Sequence, residues 1–253
     1  MKISVTILAK NSQETIEKTL NSLKNFSEVL LFDTGSTDET LKIAAKFPNV
    51  KTLSGPFIGF GPTHNLATSH ATHDWILSID SDEVLTPELA NEIAHLKLDS
   101  SKVYALRRKN FLNEKWIKGG SGWNPDHVLR LYHRAHTSFS DSQVHETLIA
   151  TPSQVILLKE HLLHTPYRQM SDFLAKMQTY STLFAEQNKN KKTSSIGKAL
   201  LHSWWAFLKS YFFKRGFLDG KEGLIISIYN AHTAFYKYVK LIEINLSDED
   251  PST

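Results

Sequence analysis

Asp80 and Asp82, two residues apart at the end of the apolar run Trp75–Ile79, are the side chains with the clearest chemistry in this 253-residue chain. On an extended backbone residues i and i+2 project to the same side. In Ser78-Ile79-Asp80-Ser81-Asp82-Glu83 two hard oxygen ligands therefore converge. A Mg2+ or Mn2+ ion held by one or two carboxylates keeps positions open for a diphosphate, and offsets charge as that diphosphate leaves. The plainer alternative is an acidic turn with Asp82 or Glu83 solvated. A second cluster, Asp33-Thr34-Gly35-Ser36-Thr37-Asp38-Glu39-Thr40, also follows an apolar run. An acid there can accept hydrogen bonds from a ribose hydroxyl or a base N–H, and Asp33 is read that way. Ser36 and Glu39 have the spacing of a capping box and are expected to open a helix.

The elements around these clusters alternate. Ile3–Leu8, Val29–Phe32, Val50–Leu53 and Trp75–Ile79 read as strands. Between them Ile16, Leu20 and Leu23 fall on one helical face, a helix through Leu41–Phe47 follows Ser36, and His64–Ala71 reads as a third helix. Thr86-Pro87 supplies an N-cap and an N1 proline for a helix bearing Leu89, Ile93 and Leu96. This order predicts an α/β unit with a mostly parallel sheet and helices on both faces. Ligands of such sheets gather at the carboxyl ends of the strands, where both acidic clusters fall.

From Val103 the pattern changes to short strands, Val103–Arg107, Val128–Tyr132 and Val144–Ile149, among loops rich in Gly, Asn and His. Beyond residue 166 the chain reads as helical, one helix through Met170–Phe184 and another through Ile196–Tyr211, with a disordered tail at 248–253. There is no cysteine, which excludes disulfides, zinc–thiolate sites and thiol nucleophiles. A net charge of +3 is too small to argue for a nucleic-acid partner. The N-terminal segment reads as a buried strand rather than a signal peptide, and no apolar run reaches the roughly 18 residues of a membrane span. A cytoplasmic location is expected.

Ile3–Asn11, Asp33–Thr40, Gly59–Ala67 and Trp75–Glu83 resemble, in order and spacing, the successive motifs of inverting family 2 glycosyltransferases. Gly122-Trp123-Asn124-Pro125-Asp126 with Leu129-Arg130-Leu131, then Val144-His145-Glu146, then Arg215-Gly216-Phe217-Leu218-Asp219-Gly220, resemble the branch of lipopolysaccharide core β-glucosyltransferases. The resemblance implies the GT-A fold, Rossmann-like, with a helical C-terminal extension. It implies a catalytic domain over residues 1–165 (1–100 for the nucleotide sugar, 101–165 for the acceptor) and a helical region over 166–247. It implies that Leu8, Ala9, Lys10, Asn11 and Asp33 meet the nucleotide, that Asp80 and Ser81 lie near the ribose or metal, that Asp82 binds the metal, and that Asn65 lines the donor pocket. His64 stands where a basic residue is expected near the diphosphate, and a neutral imidazole supplies less charge.

An inverting transfer needs a group that takes the proton of the attacking hydroxyl. Asp126 is the candidate base, a turn or N-cap aspartate being the alternative, and Glu146 is second to it. His145 is expected to complete the metal shell or to be structural. On the acceptor side Trp123 either stacks on a sugar or joins the core, and Arg130 either pairs with an acid or contacts phosphate.

Between Asn188 and Lys221 eight basic residues and one acid are interleaved with Trp204, Trp205, Phe207, Tyr211, Phe212 and Phe213. That mixture suits an anionic membrane surface, or a packed helix with a solvated basic side. The expected activity is transfer of glucose from UDP-glucose to a lipid-linked bacterial saccharide such as the lipopolysaccharide inner core, at the inner face of the cytoplasmic membrane. A nucleotidyltransferase acting on sugar phosphates and a non-catalytic glycan- or membrane-binding protein are the alternatives.

Overall fold

The computed structural model describes residues 2–119, 121–141, 147–167 and 169–246. It forms two compact units, Met1–Lys109 with Asp126–His164, and Asn110–Pro125 with Thr165–Thr253.

The first unit carries the expected alternation. Strands β1 (Ile3–Ala9), β2 (Glu28–Asp33), β3 (Val50–Ser54) and β4 (Trp75–Asp80) pair in parallel in the order β3-β2-β1-β4. Between and after them come α1 (Ile16–Ser22), α2 (Thr40–Ala44), α3 (Phe60–Ser69) and α4 (Pro87–His95). Strands covered on both faces must be apolar nearly throughout, and in β1 every residue but Leu8 is buried. Val5, Ile7 and Leu77 pack with Leu20 of α1 and Ile93 of α4. Leu30 and Ile76 point to the opposite face and pack with Tyr132 and Phe139. Thr86 caps α4 as expected, its hydroxyl accepting the Leu89 N–H at 3.2 Å ahead of Pro87.

The expected capping box at Ser36 and Glu39 is not formed. α2 opens at Thr40, and Asp38 accepts the Thr40 N–H at 3.0 Å. Ser36 is instead held by Asn11, which donates its N–H to the Ser36 hydroxyl.

Beyond β4 the sheet turns antiparallel. β5 (Glu83–Leu85), β6 (Val103–Leu112), β8 (His127–His133) and β9 (Val155–His164) complete the order β3-β2-β1-β4-β8-β6-β9-β5, and β7 (Lys115–Trp116) pairs with the end of β6. β8 runs antiparallel to β4 and to β6, and β5 to β9. Strands β5 and β9 have no counterpart in the sequence reading. β9 has only Leu158 and Leu162 fully buried, so its apolar pattern is too weak to register. Residues 144–146 of the expected strand Val144–Ile149 lie outside the described residues; in the remainder Leu148 bridges Phe139.

In the second unit α5 (Met170–Asn188) and α6 (Ile196–Leu208) correspond to the two expected helices. A π-helical turn at Lys209–Phe213 and a 3-10 turn at Gly216–Asp219 lead into α7 (Gly220–Leu246). Residues 110–125, read from the sequence with the acceptor side of the catalytic domain, group with these helices. Leu112, Ile117, Tyr167, Phe173 and Ile226 form the core of this unit.

Candidate active site

The strand register brings the first acidic clusters to one edge. Leu8 lies opposite Asp80, and Ala9 opposite Asp33, so β1, β2 and β4 end flush. The loops beyond them are laced together. Asn11, at a positive φ of 52° that Asn tolerates, accepts the Thr37 N–H at 2.8 Å through its side chain. Ser81 and Ser12 hydroxyls lie 2.9 Å apart, and Thr19 donates to the Ser81 carbonyl. Lys10 is exposed. Asp33 is buried, and its carboxylate accepts the N–H groups of Gly35 and Ser36 at 3.1 Å each, closing a turn that needs the positive φ of Gly35.

Four strands contribute to a charge network around Asp80. Arg130 of β8 donates to both Asp80 and Glu83, the latter at 2.7 Å. Arg108 of β6 donates to Glu83 at 2.9 Å and, through Nε, to Asp126 at 2.8 Å. The Glu83 carboxylate also accepts the Asp80 N–H at 3.0 Å. Glu83 is fully enclosed, whereas the side chain of Asp80 is 39% exposed and that of Asp82 28%. Burial pulls the Glu83 carboxyl upward, but Arg130, Arg108, His164 and the Asp80 amide outweigh it and hold the group below the usual carboxylate range. Burial opposes the charge of Arg130 too, and Asp80 and Glu83 overcome it and raise that pKa. Asp82 faces the ring of His164, Nε2 to Oδ2 3.6 Å, at the end of β9 where His164 stands opposite Glu83.

The other expected site residues have well-defined surroundings. Arg130, for which pairing with an acid was one of two readings, is buried and pairs with Asp80 and Glu83. Asn65 is clasped by Phe139, donating to its carbonyl and accepting its N–H, both at 2.9 Å. Trp123 belongs to the core of the second unit, its ring stacked 5.5 Å from that of Tyr167. His145 and Glu146 lie outside the described residues. Glu83 entered the sequence reading only as one carboxylate of the acidic turn, and Arg108 and His164 were given no role there. A second charged residue in the otherwise apolar start of β6 was the available signal for Arg108; nothing local marked His164.

His64, where a basic residue was expected, lies on α3. It is buried, stacks on Phe139 at 4.4 Å, and its Nδ1 lies 3.3 Å from the Ser78 hydroxyl. Burial pushes its imidazole down to about 4, Asp80 opposing and Arg130 adding to the shift. A proton then binds the unfolded chain, near pH 6.5, before it binds the folded one. Stability attributable to this residue is full above pH 6.5 and falls as pH drops toward 4, by about 3 kcal/mol in all at about 1.4 kcal/mol per pH unit. Urea unfolding at pH 7.0 and 4.8 should show most of that loss in the wild type, and a much flatter profile for His64→Gln.

The parallel α/β half of the sheet, extended by antiparallel strands, carries Asp33 and Asp80 at its carboxyl edge. The Glycosyl transferase family 2 model matches residues 4–163, and the chain belongs to that family. It is 30% identical to an uncharacterised glycosyltransferase of Rickettsia typhi, over 98% of this chain and 89% of the relative. It is 25% identical to the lipopolysaccharide core biosynthesis glycosyltransferase LpsC of Rhizobium meliloti, over 96% and 93%. The crystal structure of Staphylococcus aureus TarS 1–349 in complex with UDP-GlcNAc superposes with a TM-score of 0.51 at 16% identity, covering 99% of this chain and 92% of that one. That likeness shows the GT-A-like fold. The protein is a glycosyltransferase, which sets aside the nucleotidyltransferase and non-catalytic alternatives.

Proposed function

We propose that this glycosyltransferase moves a hexose, glucose, from UDP-glucose to a lipid-linked bacterial saccharide of the lipopolysaccharide inner-core kind, with inversion and with a divalent cation. The observation that carries the reading is the grouping of Asp80, Asp82 and Asp126 in one unit, with Asp80 and Asp126 tied through Arg130, Glu83 and Arg108. The UDP-GlcNAc complex of the TarS fold relative and the stated role of LpsC support donor and acceptor class.

Leu8, Ala9, Lys10, Asn11 and Asp33 border the nucleotide in this reading, and Ser81, fixed by Ser12 and Thr19, keeps Asp80 and Asp82 in register. Among the described residues no group of three His, Asp or Glu side chains is arranged to hold a metal ion. Asp80 is already compensated by Arg130, which leaves Asp82, partly exposed, as the carboxylate for Mg2+ or Mn2+. Such a site, in which protein carboxylate and substrate diphosphate share the cation, fits the preference of Mg2+ for few protein ligands. When bound, the cation offsets the charge of the departing diphosphate. Asp126, oriented by Arg108, accepts the proton of the attacking hydroxyl.

The second unit supplies the membrane argument. α6 exposes Leu200, Leu201, Trp204 and Trp205, each at least half exposed, on a chain segment rich in lysine. Among the described residues no helix is long and apolar enough to cross a membrane. An exposed apolar helix face within a lysine-rich segment suits the surface of an anionic bilayer, where a lipid-linked acceptor would be met.

A panel of nucleotide sugars, screened by UDP or GDP release with extracted glycolipid, tests the reading. UDP release with UDP-glucose should require Mg2+ or Mn2+ and should be lost in Asp82→Asn, with the thermal melting curve unchanged. Full turnover in the presence of chelator would sink the metal assignment, and turnover with GDP-sugars alone would sink the donor.

A further inference from the structure

The second unit contains a cavity of about 500 Å³ between the loop Lys118–Pro125 and the turn Phe213–Leu218. We propose that it is a binding site for a phosphate group, a phosphomonoester or phosphodiester carried by a saccharide or by a lipid headgroup. Its link to the acceptor rests on the transferase reading above; the site itself does not.

The walls are locked. The buried carboxylate of Asp219 accepts the N–H groups of Lys118 and Gly119, at 2.9 and 2.8 Å. The Ser121 N–H donates to the Lys214 carbonyl at 3.0 Å, and the Ser121 carbonyl accepts from Ser210 and from Asn230. Asn124 closes the loop on itself by donating to the Lys118 carbonyl. A side chain on Gly119 would collide with the Arg215 carbonyl, and one on Gly223 with the Gly216 carbonyl, so backbone meets backbone here. This contact network accounts for the Arg215–Gly220 motif, which the donor chemistry leaves unexplained.

Three cations line this rigid cleft, Lys118, Lys214 and Arg215. Among the described residues none of them forms an ion pair, and the local acid, Asp219, is turned to backbone amides. The ammonium of Lys214 lies over Gly122, 3.1 Å from where a Cβ would be. Arg215 sits at a φ of +55°, a conformation costly for a side chain other than Gly or Asn. The ammonium of Lys118 already lies over the Trp116 ring at 4.9 Å, and the charges of Lys214 and Arg215, with no ion pair among the described residues, suit a dianionic phosphate in the cavity they line. The arginine fork matches phosphate oxygens two at a time while lysine acts as a point charge. Phe213 and Leu218, both well exposed, give the cavity an apolar side for whatever bears the phosphate.

The test uses the full chain with Lys214→Gln/Arg215→Gly and with Arg215→Gly alone. Glycine takes the φ of position 215 without strain, so Arg215→Gly should fold at least as well as the wild type. Titration with glucose 6-phosphate should show binding that glucose lacks, weakened at least tenfold in the double variant, with UDP affinity unchanged. Flotation with phosphatidylcholine vesicles, with and without phosphatidic acid, identifies the source. Retention that needs phosphatidic acid and is lost in the double variant assigns a headgroup; binding of the sugar phosphate alone assigns a saccharide. Equal binding of both probes by wild type and double variant, or binding of neither by the wild type, overturns the site. Loss of UDP binding in the wild type would overturn the transferase donor assignment and leave this site standing.

Discussion

Asp126→Asn is expected to slow sugar transfer by roughly 10²–10⁴-fold, the usual cost of removing a general base, while UDP affinity stays within about twofold. The substitution preserves shape and keeps an oxygen for the Arg108 Nε–H, now 2.8 Å from the Asp126 carboxylate. Geometry is thus retained while the proton acceptor is removed. The measurement is transfer rate and UDP affinity for Asp126→Asn and Glu146→Gln side by side. Loss of UDP affinity in Asp126→Asn would place the residue on the donor side, acting through Arg108 and Glu83. A large rate loss confined to Glu146→Gln would move the base to Glu146.

Glu83→Gln should destabilise the protein by about 3–5 kcal/mol, the range found when one partner of a buried ion pair is removed. Glu83 is the hub: its enclosed carboxylate takes Arg130 at 2.7 Å, Arg108 at 2.9 Å and the Asp80 amide at 3.0 Å. Neutralising it leaves two guanidinium groups, 8% and 19% exposed, facing each other with less compensation. The neighbouring Asp82→Asn, at a partly exposed carboxylate, should change stability by no more than about 0.5 kcal/mol. Urea unfolding of both variants at pH 7 separates the two. The sign with pH follows from the lowered Glu83 value: its contribution is present above the ordinary carboxylate range, near 4.5, and is lost as pH falls through the depressed folded value. An unfolding midpoint for Glu83→Gln equal to the wild type would mean that Asp80 alone suffices to hold Arg130.

Much of this was legible in the chain itself. The four parallel strands and the capped helix at Thr86 rest on local patterns: apolar runs and capping residues. Such patterns are set within a few residues, so the sequence carries them directly. Leu8, Asp33 and Asp80 come together for the same reason, because parallel strands joined by short crossovers end at a common edge.

The partners of those residues were decided by tertiary structure. Glu83 was one of three clustered acids, solvated only in the plainer alternative, yet the antiparallel order β4-β8-β6 brings Arg130 and Arg108 over it from 47 and 25 residues away. His164 reaches Asp82 only because β9 pairs with β5 in the register that sets it opposite Glu83. Asn65 and Phe139 are joined by a clasp across 74 residues, and Ser36 was drawn from capping into a contact with Asn11, 25 residues away. Long-range register depends on which faces bury together, and a burial choice made by the whole sheet leaves no periodic mark on any one segment. Sequence alone therefore determined which carboxylates stand at the edge; only the packed sheet decided which cations hold them there, because a buried charge is tolerated solely where a partner from a distant strand arrives to meet it.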